Sequence, residues 1–371
     1  MTAQGRTAYD AIIVGGSFAG LAVASRLRGK VLLIERNEIG AHQTSACGTL
    51  LGVPERLGLL GTVLQIHQRL LFHTSSRTVA FDVSGAPFCT FDYRAFCRGM
   101  ASAIEAEILQ AKVLGVEGEE VVTDAGRFFA PILVDASGWR AVLASSLRRD
   151  FVPRERMSYG IETVASRRGD GLCFWYDPNL LPKGVAWFFP IGGASRIGVA
   201  SYAGDGHLKV HLELFLESQG LHKTEIHGGY FPAGLREPTV GRIFLVGDAA
   251  GQCLPLTGEG IRPALYFGRK LGAIVQRIID GKITLEEGLN TYRAFVARHR
   301  GLYRFLRGVQ RLLVVAPPRL ADAFIALTCR EPFRSFILRH YVAFADPHAL
   351  KPLKSKAGVS GPWGLSAGIA T

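Results

Sequence analysis

Two glycine-punctuated segments of this chain look built to admit a ligand rather than to pack. In VGGSFAG, Gly15, Ser17 and Gly20 occupy the first, third and sixth places of a dinucleotide-binding turn, with Phe18 and Ala19 between them. Glycine at these places lets backbone approach a pyrophosphate, and a serine at the middle place exchanges some of that approach for a hydroxyl hydrogen bond. Glu35 lies twenty residues beyond Gly15 at the end of the next apolar run, with Arg36 beside it. Its carboxylate is placed to accept ribose hydroxyls, and an acid there disfavours a 2′-phosphate. With no second fingerprint in the chain, one adenine-dinucleotide site is expected, most simply FAD. The other segment, LPLTGEGI at residues 254–261, sets a proline, a threonine and two glycines around one glutamate.

The elements around these segments predict an α/β fold. DAIIVG, the helically spaced LAVASRLRG and KVLLIER form a β-α-β unit, and PILVDASG and RIFLVGDAAG are expected to rejoin the same Rossmann-like parallel sheet. Between those two returns, aromatic and β-branched runs broken by Gly, Pro and Asp predict an interleaved antiparallel sheet. The reading assigns 1–150 and 236–280 to a discontinuous nucleotide-binding domain and 151–235 to an antiparallel-sheet substrate domain. A helical region follows over 281–345, then a tail over 346–371. Within the helical part, one helix is expected from 261 to about 279 and a long one from about 284 to 313.

At 371 residues and 48% apolar content the chain can bury a sizeable core. It has no uninterrupted apolar stretch of membrane-spanning length and no signal-peptide pattern, which predicts a cytosolic protein. Six scattered cysteines suit neither a zinc site nor a disulfide scaffold. A net charge of +12 without nucleic-acid-binding motifs points to a phosphorylated small molecule or an anionic membrane.

GDAAGQCLPLTGEGI resembles the geranylgeranyl reductase family, within the p-hydroxybenzoate hydroxylase-like flavoproteins. The resemblance places Gly247 and Asp248 at the flavin ribityl and pyrophosphate. Gly258, Gly260 and the helix start at Ile261 would meet the isoalloxazine, where helix N-terminal amides favour the charge of the reduced ring. It extends over about the first 270 residues. FDYRAFCRGMA implies that Arg94 reaches the FAD, LVDASGWR closes the cofactor domain, and Val113 covers the adenine. SACGTL supplies Ala46, Cys47 and Gly48 near the flavin, with Cys47 a candidate for proton delivery. VAWFFP matches the family's Tyr-x-Trp-x-Phe-Pro substrate motif at Trp187, Phe189 and Pro190, with Val185 in place of the tyrosine.

What this implies is saturation of C=C bonds in a polyprenyl chain by reduced FAD, with electrons from reduced nicotinamide or ferredoxin. The proton donor stays open among Cys47, Tyr159, Tyr202, His42 and a water. Ten arginines between 293 and 339, among many apolar residues, suggest a face that meets an anionic membrane. Two rival readings are an FAD monooxygenase or halogenase of an aromatic compound and a non-catalytic FAD- or lipid-binding protein.

Overall fold

The computed structural model describes residues 8–353, apart from 44, 154–156 and 223. Fully buried apolar runs form the first sheet: Ala11–Val14, Val31–Glu35, Ile132–Asp135 and Ile243–Leu245 are parallel neighbours, flanked by Glu107–Gln110 and the short antiparallel Thr239–Val240. Such runs suit strands covered on both faces. The crossover helix Phe18–Ala24 is buried along its whole length against the helix Ile261–Ile279, which brings the start of the late segment beside the early glycine turn.

The second sheet has seven strands, in the order Ile226–Pro232, Met157–Ala165, Ser195–Ser201, Gly184–Pro190, Leu172–Tyr176, Arg69–Thr74 and Thr78–Asp82. Side chains alternate across it. Ile161, Ala186, Phe188, Ile197 and Val199 pack under the helix Lys209–Ser218, while Trp187, Phe189, Phe174 and Phe72 face the main core and the first sheet. Burial of each such side chain contributes about 1.5–3 kcal/mol. Arg69–Thr74 pairs with Leu172–Tyr176 in parallel, so this platform draws strands from both sides of the boundary read at residue 150, and it is not wholly antiparallel.

The helix expected over 284–313 is two helices, Leu285–Ala297 and Arg300–Val315. The break turns the His299 ring into a cluster with Tyr266, Phe267, Phe295 and Phe344. A reciprocal Thr284–Glu287 capping box opens the first of the pair. Pro318–Thr328 and Phe333–Ala343 complete the helical region. The expected tail is described as far as 353; there Pro347 sits against Gly52 and Leu350 is buried, while 354–371 lie outside the described residues.

One buried ion pair ties these last helices to the segment 254–261. Arg262, 1% exposed, donates from Nε to Glu259 Oε1 at 2.6 Å and from Nη2 to Oε2 at 2.8 Å. Its Nη1 reaches the carbonyls of Tyr341 and Phe344 at 2.9 and 2.8 Å, and the Tyr341 hydroxyl donates to Glu259. Burial works against the guanidinium charge, but the Glu259 carboxylate outweighs it and holds Arg262 firmly protonated. Arg262→Ala strands the Glu259 carboxylate and should lower unfolding free energy by about 3–5 kcal/mol in urea titration.

Candidate active site

The first turn is closed by backbone crowding. Gly15 has φ +109°, and a Cβ there would stand 2.2 Å from the Ala136 carbonyl oxygen, so only glycine fits between the strand ends. Glu35 accepts from the amides of Gly16 at 2.7 Å and Asn37 at 3.1 Å, so its carboxylate shapes the turn as well as facing outward. Ser17 precedes the helix without capping it; its hydroxyl lies 3.0 Å from that of Tyr93. Phe18 is core, packed edge-on against Phe91, Tyr93 and Phe96, and Ala19 lies against Gly247. Arg36 is exposed.

The remaining nucleotide candidates divide. Arg94 pairs with Glu38, in the loop after the second strand, at 2.7 Å on the surface. Val113 opens a separate three-stranded sheet and is half-buried beside the first sheet. Asp135, from LVDASG, caps the next helix by accepting from Leu143 and Ala144 at 2.8 and 3.0 Å.

Asp248 is different. It is half-buried at the end of the strand that leads into GDAAG, and among the described residues no donor hydrogen-bonds its carboxylate. Burial raises its pKa to about 6, and the Arg236 charge only partly offsets that. Gly260, at the start of Ile261–Ile279, stands close by: a Cβ there would meet only Asp248 Oδ1 and Cys253, at 3.8 Å or more. The helix's first amides have no intrahelical acceptors. Nothing in the packing therefore demands glycine at 260, and its bare backbone leaves these amides open. Gly258 and Leu256 both take left-handed backbone, and the Tyr202 hydroxyl secures the loop by donating to the Leu256 carbonyl at 2.7 Å.

The platform's motif residues come to the same place. Gly48 lies against Phe189, with a Cβ there only 3.0 Å from the ring, so SACGTL and VAWFFP are in contact. Cys47, buried with φ 57°, donates its thiol to the Ser45 carbonyl at 3.2 Å; burial pushes its pKa up and keeps it neutral. The Pro190 carbonyl accepts from Thr90 at 2.6 Å, and Arg196 donates to the Phe91 carbonyl at 3.1 Å, fastening the platform to the strand Phe88–Phe91, which pairs with Gly48–Leu50. Trp187 Nε1 donates to Glu162 Oε2 at 2.8 Å. All six cysteines are free and buried.

No family model matches the chain. It is 28% identical to digeranylgeranylglycerophospholipid reductase 1 of Methanopyrus kandleri, over 77% of this chain and 85% of that one. It is 26% identical to geranylgeranyl diphosphate reductase of Rhodobacter capsulatus, over 95% and 98%. The chain is thus similar to proteins named as geranylgeranyl reductases. Its fold is that of a geranylgeranyl bacteriochlorophyll reductase-like protein from Thermoplasma acidophilum, at TM-score 0.81, 18% identity and coverage of 92% and 98%. A p-nitrophenol 4-monooxygenase from Pseudomonas putida shares the fold at TM-score 0.70 and 14% identity, over 91% and 98%.

Sequence reasoning missed Glu162 and the Glu259–Arg262 pair. A lone acid inside an apolar strand run, and a glutamate three residues before an arginine at a helix start, were the available signals. For Asp248, the folded pKa lies above the unfolded one, so the carboxylate costs stability that is lost as pH rises from about 4 through 6. Asp248→Asn should stabilise the flavin-free protein by up to about 3 kcal/mol above pH 6 and by nothing below pH 4, as read by urea unfolding across pH.

Proposed function

We propose that the chain is an FAD-dependent reductase that saturates C=C bonds of a polyprenyl chain. The observation that carries this reading is convergence: the glycine turn at 15–20, Asp248 and the start of Ile261–Ile279 lie beside an aromatic platform that carries Trp187 and Phe189. The relatives named for reduction of geranylgeranyl groups support the substrate class.

The residues fit FAD. Gly15 leaves a closed turn against which a pyrophosphate can lie, and Glu35 retains acceptor capacity for ribose hydroxyls. The bare backbone at Gly260 and the amides of Ile261–Ile279 suit an electron-rich ring edge. Bound and reduced, the flavin supplies a hydride. The chain supplies position and dryness: Phe72, Phe174 and Phe189 pack face-to-face and edge-on, at 5.4 and 5.3 Å between centroids, to form an apolar wall. Cys47 serves that wall as a neutral thiol. Tyr202 holds the loop.

The substrate's lipid nature gives the C-terminal helices a role. Phe305, Leu312, Val315, Leu320, Phe324, Leu327, Phe333, Phe336 and Ile337 are exposed there, and Arg300, Arg304, Arg307 and Arg311 follow helical spacing along Arg300–Val315. Exposed apolar side chains beside a basic stripe suit an anionic membrane surface. Among the described residues, no helix is long and apolar enough to cross a membrane.

Three measurements test these readings. Anaerobic incubation with dithionite and a geranylgeranylated lipid should give products heavier in steps of two hydrogens. Oxygen-dependent hydroxylation instead would make the protein a monooxygenase, and flavin reduction without turnover would make it a binder. Gly260→Val, whose Cβ would meet nothing closer than 3.8 Å, should lower FAD occupancy at least tenfold, and full occupancy refutes the ring placement. Sedimentation with anionic liposomes should carry the protein down at low salt and release it at high salt; no binding at low salt ends the membrane reading.

A further inference from the structure

The register of the platform reveals how Glu162 is held. Trp187, Gly198, Glu162 and His227 are direct neighbours across four adjacent strands, so their positions share one face. Gly198 makes the row possible: a Cβ there would lie 2.1 Å from Trp187 Cζ2, and in its absence the indole crosses the neighbouring strand to Glu162. The second carboxylate oxygen accepts from Gln43 Nε2 at 3.2 Å and lies 3.2 Å from His227 Nε2. Glu162 is only 4% exposed. A carboxylate is retained at such depth when partners converge on it: Trp187 and Gln43 donate to it, and His227 stands at ion-pair distance.

His227 connects this buried acid to open space. Its side chain is 30% exposed. Two residues further along the same face, Gly229 has nothing within 4 Å of where a Cβ would stand, and Phe231 then comes to within 3.8 Å of the corresponding point at Gly258. The strand Ile226–Pro232 thus carries His227, the open position over Gly229 and the Phe231 contact with the loop 254–261 on one face.

Of the side-chain proton-donor candidates from sequence, two are engaged elsewhere. Tyr202 donates to the Leu256 carbonyl, and Cys47 donates to that of Ser45. Tyr159 lies on the opposite face from Glu162, against Tyr230, and His42 is exposed.

We propose that His227, oriented by Glu162, donates the proton that completes alkene saturation. This rests on the reductase reading above. In the step, the alkene π pair takes the proton from the imidazolium and forms one C–H bond. A hydride with its own electron pair, which a reduced flavin would supply when bound and so end oxidised, would form the other, leaving the imidazole neutral to be recharged from water. Charged and titratable groups around the row are Glu162, Arg196 on Ser195–Ser201, the Cys47 thiol, and Arg140 on the turn beside Ile226–Pro232. Of these, Glu162 is the one within hydrogen-bond distance of His227.

The test uses the FAD-loaded full chain, reduced with dithionite and mixed with geranylgeraniol without oxygen. In His227→Ala the rate of flavin reoxidation by the alkene should fall about 10²–10⁴-fold with an unchanged flavin spectrum, and added imidazole should restore part of it. Glu162→Gln should give an intermediate loss that imidazole does not rescue. Independently of turnover, geranylgeraniol should slow carbethoxylation of His227 in the flavin-free wild-type protein. A wild-type protein that leaves the chain unsaturated overturns both readings. Wild-type saturation matched by His227→Ala at equal rate overturns this one alone, as does carbethoxylation indifferent to geranylgeraniol.

Discussion

The buried pair of Glu259 and Arg262 is the constraint on which the rest of the site depends. It sits between the loop that ends at Gly260 and the helix that begins at Ile261, and its remaining donor is spent on carbonyls at 341 and 344. The loop is thus clamped from outside the nucleotide-binding sheet. Buried ion pairs seldom add net stability over apolar residues of equal volume, but they punish any arrangement that leaves one charge alone. Here that penalty selects a single loop geometry, with left-handed backbone at Leu256 and Gly258.

Around that clamp, the two sheets contribute opposite properties. The parallel sheet ends in groups that are electrostatically unfinished: helix amides without acceptors and an Asp248 carboxylate held up to about pH 6 by burial. On the platform, by contrast, the deep acid Glu162 is surrounded by Trp187, Gln43 and His227. Free energy withheld at the first surface is available to a ligand that completes it. The second surface keeps water out while the ligand reacts.

Local sequence carried the strands of the first sheet, because buried parallel strands need only an apolar run and a glycine exit, as in AIIVGG and VLLIER. It also carried the platform motif, since VAWFFP alternates legibly. What it could not carry was pairing. Nothing in RLLFHT names Leu172–Tyr176 as its neighbour, and nothing in GIETV reveals that Glu162 will stand between Gly198 and His227. Arg94 illustrates the same limit: its pairing with Glu38 was invisible until the chain folded. The break at His299 likewise answers to aromatic neighbours 33 residues earlier rather than to any local breaker.

The parallel pairing of Arg69–Thr74 with Leu172–Tyr176 also orders events during synthesis. The hairpin of Arg69–Thr74 and Thr78–Asp82 leaves the ribosome with one edge unpaired and Leu70 and Phe72 uncovered, and its partner follows a hundred residues later. At translation rates of about 5–20 residues per second, that edge waits for seconds. An exposed strand edge recruits other chains. The interval in which this protein is most prone to aggregate is therefore set by the distance along the chain between two strands that end side by side.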